Sequence, residues 1–138
     1  LEYWKQPDAT KKAFTADGWF RTGDVAVIKD GYYRILGRSS VDIIKSGGYK
    51  ISALEIEEVL RTHPEVVDCA VVGLEDIEWG EVVAVALVLR RSMDTVVLRE
   101  WLKEQIPAYR VPRRFVEVEE LPRNAMGKVT KNEVKKLF

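Results

Sequence analysis

The stretch from Gly37 to Glu57, GRSSVDIIKSGGYKISALEIE, constrains this chain more than any other. Ser46, Gly47 and Gly48 interrupt two β-prone runs. Paired glycines admit positive φ and a close approach of backbone to a neighbour or ligand, so a tight loop belongs here. Ser52 and Glu55 then carry the S-x-x-E spacing that opens a helix. Arg38 and Lys45 bring positive charge to the same stretch. A basic strand, a glycine loop and a capped helix together suit an anionic, extended ligand. The same SGG triplet alone describes an ordinary turn, and other segments must decide between the two.

The bulk properties narrow the field. The 138 residues are 32% charged with a formal net charge of zero. That length fits one compact domain, or one domain plus a piece of another. Balanced charge without like-charge blocks disfavours a general nucleic-acid or membrane-surface binder. No apolar run is long enough to span a bilayer, and no signal peptide is visible. The chain opens in mid-pattern at LEYWKQP, without an initiator Met, and reads as a fragment of a longer intracellular protein, cytoplasmic or mitochondrial. The single cysteine, Cys69, lies in the apolar run from Val66 to Gly73, where a buried, inert thiol is expected.

In chain order, Pro7 to Phe14 reads as a short helix with Asp8 or Thr10 as its cap. Asp30-Gly31 between two β-prone runs predicts a hairpin. It holds Asp24 at one strand end and Gly37-Arg38 at the end of the next. Ile43 to Lys45 and Tyr49 to Ile51 form a strand and its return across the glycine loop. From Ser52 the apolar spacing predicts a helix that ends by His63, before Pro64. His63 has no acid or nucleophile near it in sequence and reads as structural. Val66 to Leu74 and Glu81 to Arg90 are apolar strands. A helix capped by Asp94 or Thr95 follows, with Leu98 and Trp101 on its core face. Phe115 to Glu119 is a third strand, and a loop with a short helix ends the chain. The fold class is α+β: a small three-stranded sheet with covering helices, preceded by a β-hairpin.

Three positions stand out for chemistry. Asp24, at the mouth of a strand, can accept two hydrogen bonds from a ribose diol or can satisfy turn amides. Arg38 can fork onto phosphate or ribose oxygens, or form a surface ion pair. Lys128 ends Pro122-Arg123-Asn124-Ala125-Met126-Gly127, a loop that projects one ammonium. Such a group suits charge neutralisation at a phosphate under attack; otherwise it is one more solvated lysine. No Walker-type loop, dinucleotide fingerprint, catalytic triad or metal-ligand cluster is present in the sequence.

GWFRTGD, then GR followed by IKSGGYKIS-x-x-E-I-E, then PRNAMGK, in this order, resembles the C-terminal part of adenylate-forming enzymes. These include acyl-CoA synthetases, peptide-synthetase adenylation domains and firefly luciferase. The resemblance covers essentially the whole chain and is most like the malonyl-CoA synthetase branch. It implies a mobile C-terminal lid, with ATP, CoA and Mg²⁺ as cofactors and a small carboxylic acid, malonate or methylmalonate among the candidates, as substrate. By this resemblance Lys128 is the catalytic lysine of adenylate formation. Asp24 and Arg38 bind ATP or AMP. Ser46, Gly47, Gly48 and Lys50 line the path of the CoA pantetheine, and Glu55 is the helix-opening glutamate.

The resemblance further implies that residues 1–37 end a large N-terminal AMP-binding domain. Residues 38–42 are the hinge region and 43–138 the lid. Related hinges read GR-x-D-D or GR-x-K, whereas GRSSVD has one extra residue, so Ser40, Val41 and Asp42 all remain hinge candidates. The partner of this piece is the N-terminal domain of the same chain, and the fragment alone is expected to be inactive. Two rivals stand beside this reading: an adenylation domain that loads a carrier protein, and a non-catalytic interaction module with the lid fold.

Overall fold

Asp30 and Gly31 sit at φ +52° and +80°, the left-handed pair that a two-residue hairpin turn requires. They join β1 (Asp24–Lys29) to β2 (Tyr32–Arg38) in an antiparallel pair. The computed structural model, which describes residues 2–138, sets helix α1 (Pro7–Ala13) ahead of this hairpin. Neither Asp8 nor Thr10 caps α1, contrary to expectation. Gln6 holds the cap position without a side-chain bond, and Pro stands in the first turn. Proline needs no partner there, because its missing N–H would have been an orphan donor. The Thr10 hydroxyl instead donates to the Gln6 carbonyl and accepts from the Tyr3 N–H.

The second sheet begins with β3 (Ile43–Ser46) and β4 (Tyr49–Ser52), folded back across the two glycines. Helix α2 (Ala53–Leu60) follows directly. Ser52 caps it by accepting the Glu55 N–H at 3.2 Å. Only this half of the capping box forms, because the Glu55 carboxylate turns to Arg110 and Arg34 instead. The same Ser52 hydroxyl donates to the Leu36 carbonyl at 2.6 Å, tying the first hairpin to the head of α2. Beyond α2 the chain turns through His63, whose Nδ1 accepts the Glu65 N–H and whose ring meets Trp101 edge-on. The structural reading of His63 holds.

Strands β5 (Val66–Asp76) and β6 (Gly80–Leu89) form a long antiparallel ladder. Helix α3 (Thr95–Gln105), capped by Asp94, and a single 3-10 turn at Ala108–Arg110 lead to β7 (Arg114–Glu117), which runs parallel to β6. Helix α4 (Lys131–Lys135) ends the chain. The α+β class is as expected. The three strands β5, β6 and β7 form the body of the sheet, and the β3–β4 hairpin extends it to five through the pair Ser46↔Gly80. That attachment is a single residue pair between distant positions, which local patterning does not reveal.

Successive residues of β5 and β6 face opposite sides, so the two strands feed two cores. Val71, Val83, Val85 and Leu87 pack with Ile51, Ile56, Leu60, Leu98 and Leu102. Ala70, Val72, Ala84 and Ala86 pack with Leu121 and Val134. Burial on both faces explains the unbroken apolar runs in sequence. The alanines on the second face let the C-terminal segment lie close, which sets the position of the loop that carries Lys128. Among the described residues no helix is long and apolar enough to cross a membrane.

Cys69 lies in the first core and its thiol faces the Glu57 carbonyl at 3.7 Å. Burial, the largest influence, pushes the thiol up to about 12 from the usual 9.0. Folding therefore favours the neutral thiol. That stabilisation is full below pH 9 and is lost as pH rises toward 12. We expect native protein at pH 8 to resist iodoacetamide and the unfolded chain to react, as read by mass spectrometry. Leu102→Ala, at a side chain with no exposure, should cost about 2–5 kcal/mol of stability in a denaturant titration.

Candidate functional site

The register of the first hairpin sets Asp24 opposite Arg38. Their side chains form an exposed ion pair, Arg38 Nε to Asp24 Oδ1 at 3.7 Å. The Thr22 hydroxyl accepts the Asp24 N–H at 3.1 Å and fixes the approach to the strand. An exposed pair of this kind contributes little to stability, so both groups are available to a ligand at small cost.

The Lys128 loop is more ordered than its sequence suggests. A bridge between Arg123 and Val129 closes it. Inside, the Asn124 carboxamide oxygen accepts the N–H groups of Met126 and Lys128, both at 3.0 Å. Gly127 takes φ +76° at the tip. Arg123 donates to the Gly127 carbonyl at 2.6 Å and also pairs with Asp68 on β5. The result is a braced loop whose lysine is exposed and, among the described residues, forms no ion pair. Lys128 and Arg38 line one cleft of about 480 Å³, together with Val41, Asp42, Thr130 and Lys131. Two of the sequence-derived candidates are thus brought together, with Asp24 alongside through its pair with Arg38.

The glycine loop lies apart from this cleft, at the other end of β3. Asp42 immediately precedes that strand and Ser46 ends it. Gly47 and Gly48 take φ +54° and +83°. A Cβ on Gly47 would sit 2.8 Å from the Trp79 ring, and the Gly47 N–H donates to the Trp79 carbonyl at 2.9 Å. Gly47 is therefore required by packing as well as by φ. Gly48 has open space around it. Lys50 pairs in register with Lys45, and both are exposed. Trp79, over whose ring Arg113 sits at 4.0 Å, carries no signal in sequence. Its place follows from the long-range pair Ser46↔Gly80.

Three residues that local sequence reading does not connect form a buried ionic cluster. Lys131 Nζ lies 2.8 Å from Asp42 Oδ1 and 2.9 Å from Glu57 Oε1. Its geometry is that of an ion pair rather than a directed hydrogen bond. The Glu57 carboxylate also accepts the Val71 N–H at 2.8 Å and approaches Arg61 at 3.5 Å. Asp42 Oδ2 accepts the Arg38 N–H at 2.9 Å. Removal of one partner from such a cluster leaves buried charge uncompensated, at a cost of about 3–5 kcal/mol. Of the three hinge candidates, Asp42 is buried and held on several sides, Val41 is half-buried and Ser40 is exposed.

Comparison with known proteins supplies the family. Residues 55–128 match the AMP-binding enzyme C-terminal domain. The chain is 52% identical over 135 residues to the mitochondrial malonate–CoA ligase of Bos taurus, covering 96% of this chain and 23% of that protein. It is 48% identical over 148 residues to the malonate–CoA ligase of Arabidopsis thaliana, covering 98% and 24%. The ATP-bound MatB structure from Rhodopseudomonas palustris superposes with a TM-score of 0.89 at 36% identity, covering 98% of this chain and 27% of that one. The chain thus spans about a quarter of the length of these relatives. It belongs to the family of C-terminal domains of AMP-binding, adenylate-forming enzymes.

Proposed function

We propose that this chain is the C-terminal part of an ATP-dependent, AMP-forming acyl-CoA synthetase, with malonate as the preferred acid and methylmalonate as the nearest alternative. The observation that carries the reading is the single cleft lined by Arg38 and Lys128, with Asp24 paired beside it. The names of the relatives, malonate–CoA ligases of an animal and a plant, support malonate and favour free CoA over a carrier protein. The mitochondrial address of the bovine relative supports an intracellular location for the parent protein.

In the first half-reaction a carboxylate oxygen attacks the α-phosphorus of ATP, the bond to the β-phosphate oxygen breaks, and pyrophosphate leaves. The Lys128 ammonium offsets the charge that gathers between carboxylate and phosphate. Asp24 accepts the ribose hydroxyls and Arg38 donates to the nucleotide. In the second, the CoA thiolate attacks the acyl carbonyl and AMP leaves. Ser46, Gly47, Gly48 and Lys50 are assigned to the pantetheine path, where a flat loop admits a narrow chain. Mg²⁺ travels with ATP. Among the described residues no group of three or more His, Cys, Asp or Glu side chains is placed to hold a metal ion.

Residues 1–37 are assigned to the end of the N-terminal domain and 43–138 to the mobile lid. The hairpin supports this division, since Tyr33 and Ile35 lie on one face of β2 and are both more than half exposed, a face suited to cover by the N-terminal domain. Within residues 38–42, exposed Ser40 suits the pivot better than buried Asp42.

The test is pyrophosphate exchange by the full-length parent across malonate, methylmalonate, acetate, medium-chain fatty acids and amino acids. Exchange should be strongest with malonate and should fall about 10²–10³-fold in Lys128→Ala. Undiminished exchange in that variant would make Lys128 a bystander. Gly47→Ala should move Trp79 and reduce CoA-dependent release of AMP more than it reduces exchange. An equal loss in both assays would remove the glycine loop from the thioester step. Residues 1–138 alone should show no turnover.

A further inference from the structure

Lys131 is the first residue of α4 and stands three positions after Lys128. Neither it nor Asp42 falls within the stretch matched by the family model, residues 55–128. Its ammonium is buried against Asp42 and Glu57. Through Asp42 Oδ2 the same cluster holds the backbone N–H of Arg38. Through the chain it holds the base of the Lys128 loop, where the Thr130 N–H donates to the Pro122 carbonyl at 2.9 Å. One cation thus ties down both walls of the cleft.

We propose that Lys131 is a positioning residue for adenylate formation, bridging Asp42 and Glu57 so that Arg38 and Lys128 face each other across one cleft. This rests on the role assigned to Lys128 under the proposed function. The contacts to Asp42 and Glu57 join residues on the lid side of Ser40, whereas the bond from Arg38 to Asp42 crosses it. Rotation about Ser40 must therefore break the Arg38 bond while the buried cluster moves as a unit. Lys131 holds the Asp42 side chain aimed at Arg38, and so favours the orientation seen here. On the proposed function, adenylate formation uses this orientation, in which Arg38 and Lys128 share one cleft, and attack by CoA, at the glycine loop, does not. The two half-reactions should depend on Lys131 unequally.

The full-length enzyme separates them. Malonate-dependent exchange of labelled pyrophosphate into ATP reads the first. CoA-dependent consumption of supplied malonyl adenylate reads the second. Lys131→Met should lower exchange by about 10–10²-fold, the scale of a displacement of about 1 Å at a reacting group, and lower adenylate consumption by less than about threefold. Lys131→Arg, which keeps the charge, should recover most of the exchange. Asp42→Asn, which leaves Lys131 beside Glu57, should shift the ratio in the same direction. If thermal melting shows Lys131→Met unfolded, Asp42→Asn decides, and a wild-type ratio of the two rates overturns the proposal. Equal losses in both half-reactions by folded variants also overturn it, since that is the mark of a merely structural role. Lys128→Ala is assayed alongside. Lost exchange there with a wild-type ratio in the Lys131 and Asp42 variants sinks the positioning role alone. Retained exchange in Lys128→Ala sinks the assignment of Lys128 itself.

Discussion

The antiparallel ladder of β5 and β6 is the constraint on which the rest of the second sheet depends. Its two strands alternate side chains between two cores, so one element fixes both layers. One face takes helices α2 and α3 against valines and Leu87. The other takes the C-terminal segment against three alanines. The start of β6 also anchors the short hairpin, since Gly80 pairs with Ser46. The glycine loop and the Lys128 loop are thereby hung on opposite parts of one rigid ladder. Functional loops placed on a stiff scaffold are a common solution, because such loops carry chemistry while regular elements carry position.

Charge inside the structure follows a different logic from charge on its surface. Asp24 and Arg38 meet in solvent and gain little from each other. Asp42, Glu57 and Lys131 meet out of solvent, where desolvation is heavy and each group needs the others. The Val71 N–H and the Arg38 N–H satisfy further lone pairs of the two carboxylates. The cluster is thus rich in bonds to backbone. It specifies where the segment before β3 and helix α4 sit relative to α2, a role that apolar contacts alone fill with less directional control.

Much of this was legible in sequence where the signal is local. Asp30-Gly31 gave its hairpin, the S-x-x-E spacing gave the start of α2, and the apolar runs gave β5 and β6 within two residues. The order of motifs pointed to the family. What sequence could not show was long-range. The fifth strand pair depends on Ser46 meeting Gly80, and Trp79 beneath Gly47 follows from that pairing. The ion cluster joins residues from three separate segments, and Glu57 in sequence is one more charge on a helix. The cap of α1 was misplaced because the helix already begins at Pro7, which puts Asp8 and Thr10 inside it rather than at its cap. Arg38 and Lys128 meet in one cleft because the alanine face of β5 and β6 brings distant segments close.

Under the nucleotide-binding role proposed for Asp24 and Arg38, their ion pair also acts as a filter. The Asp24 carboxylate and the Arg38 guanidinium face each other at 3.7 Å. A simple anion such as free phosphate can satisfy Arg38 only by competing with Asp24, and it leaves that carboxylate facing negative charge. A sugar without phosphate can satisfy Asp24 but leaves Arg38 with nothing new. A ligand that carries a diol and a phosphate on one rigid unit replaces both halves of the pair at once. Discrimination of this kind arises from two mismatches avoided together, not from the strength of either contact.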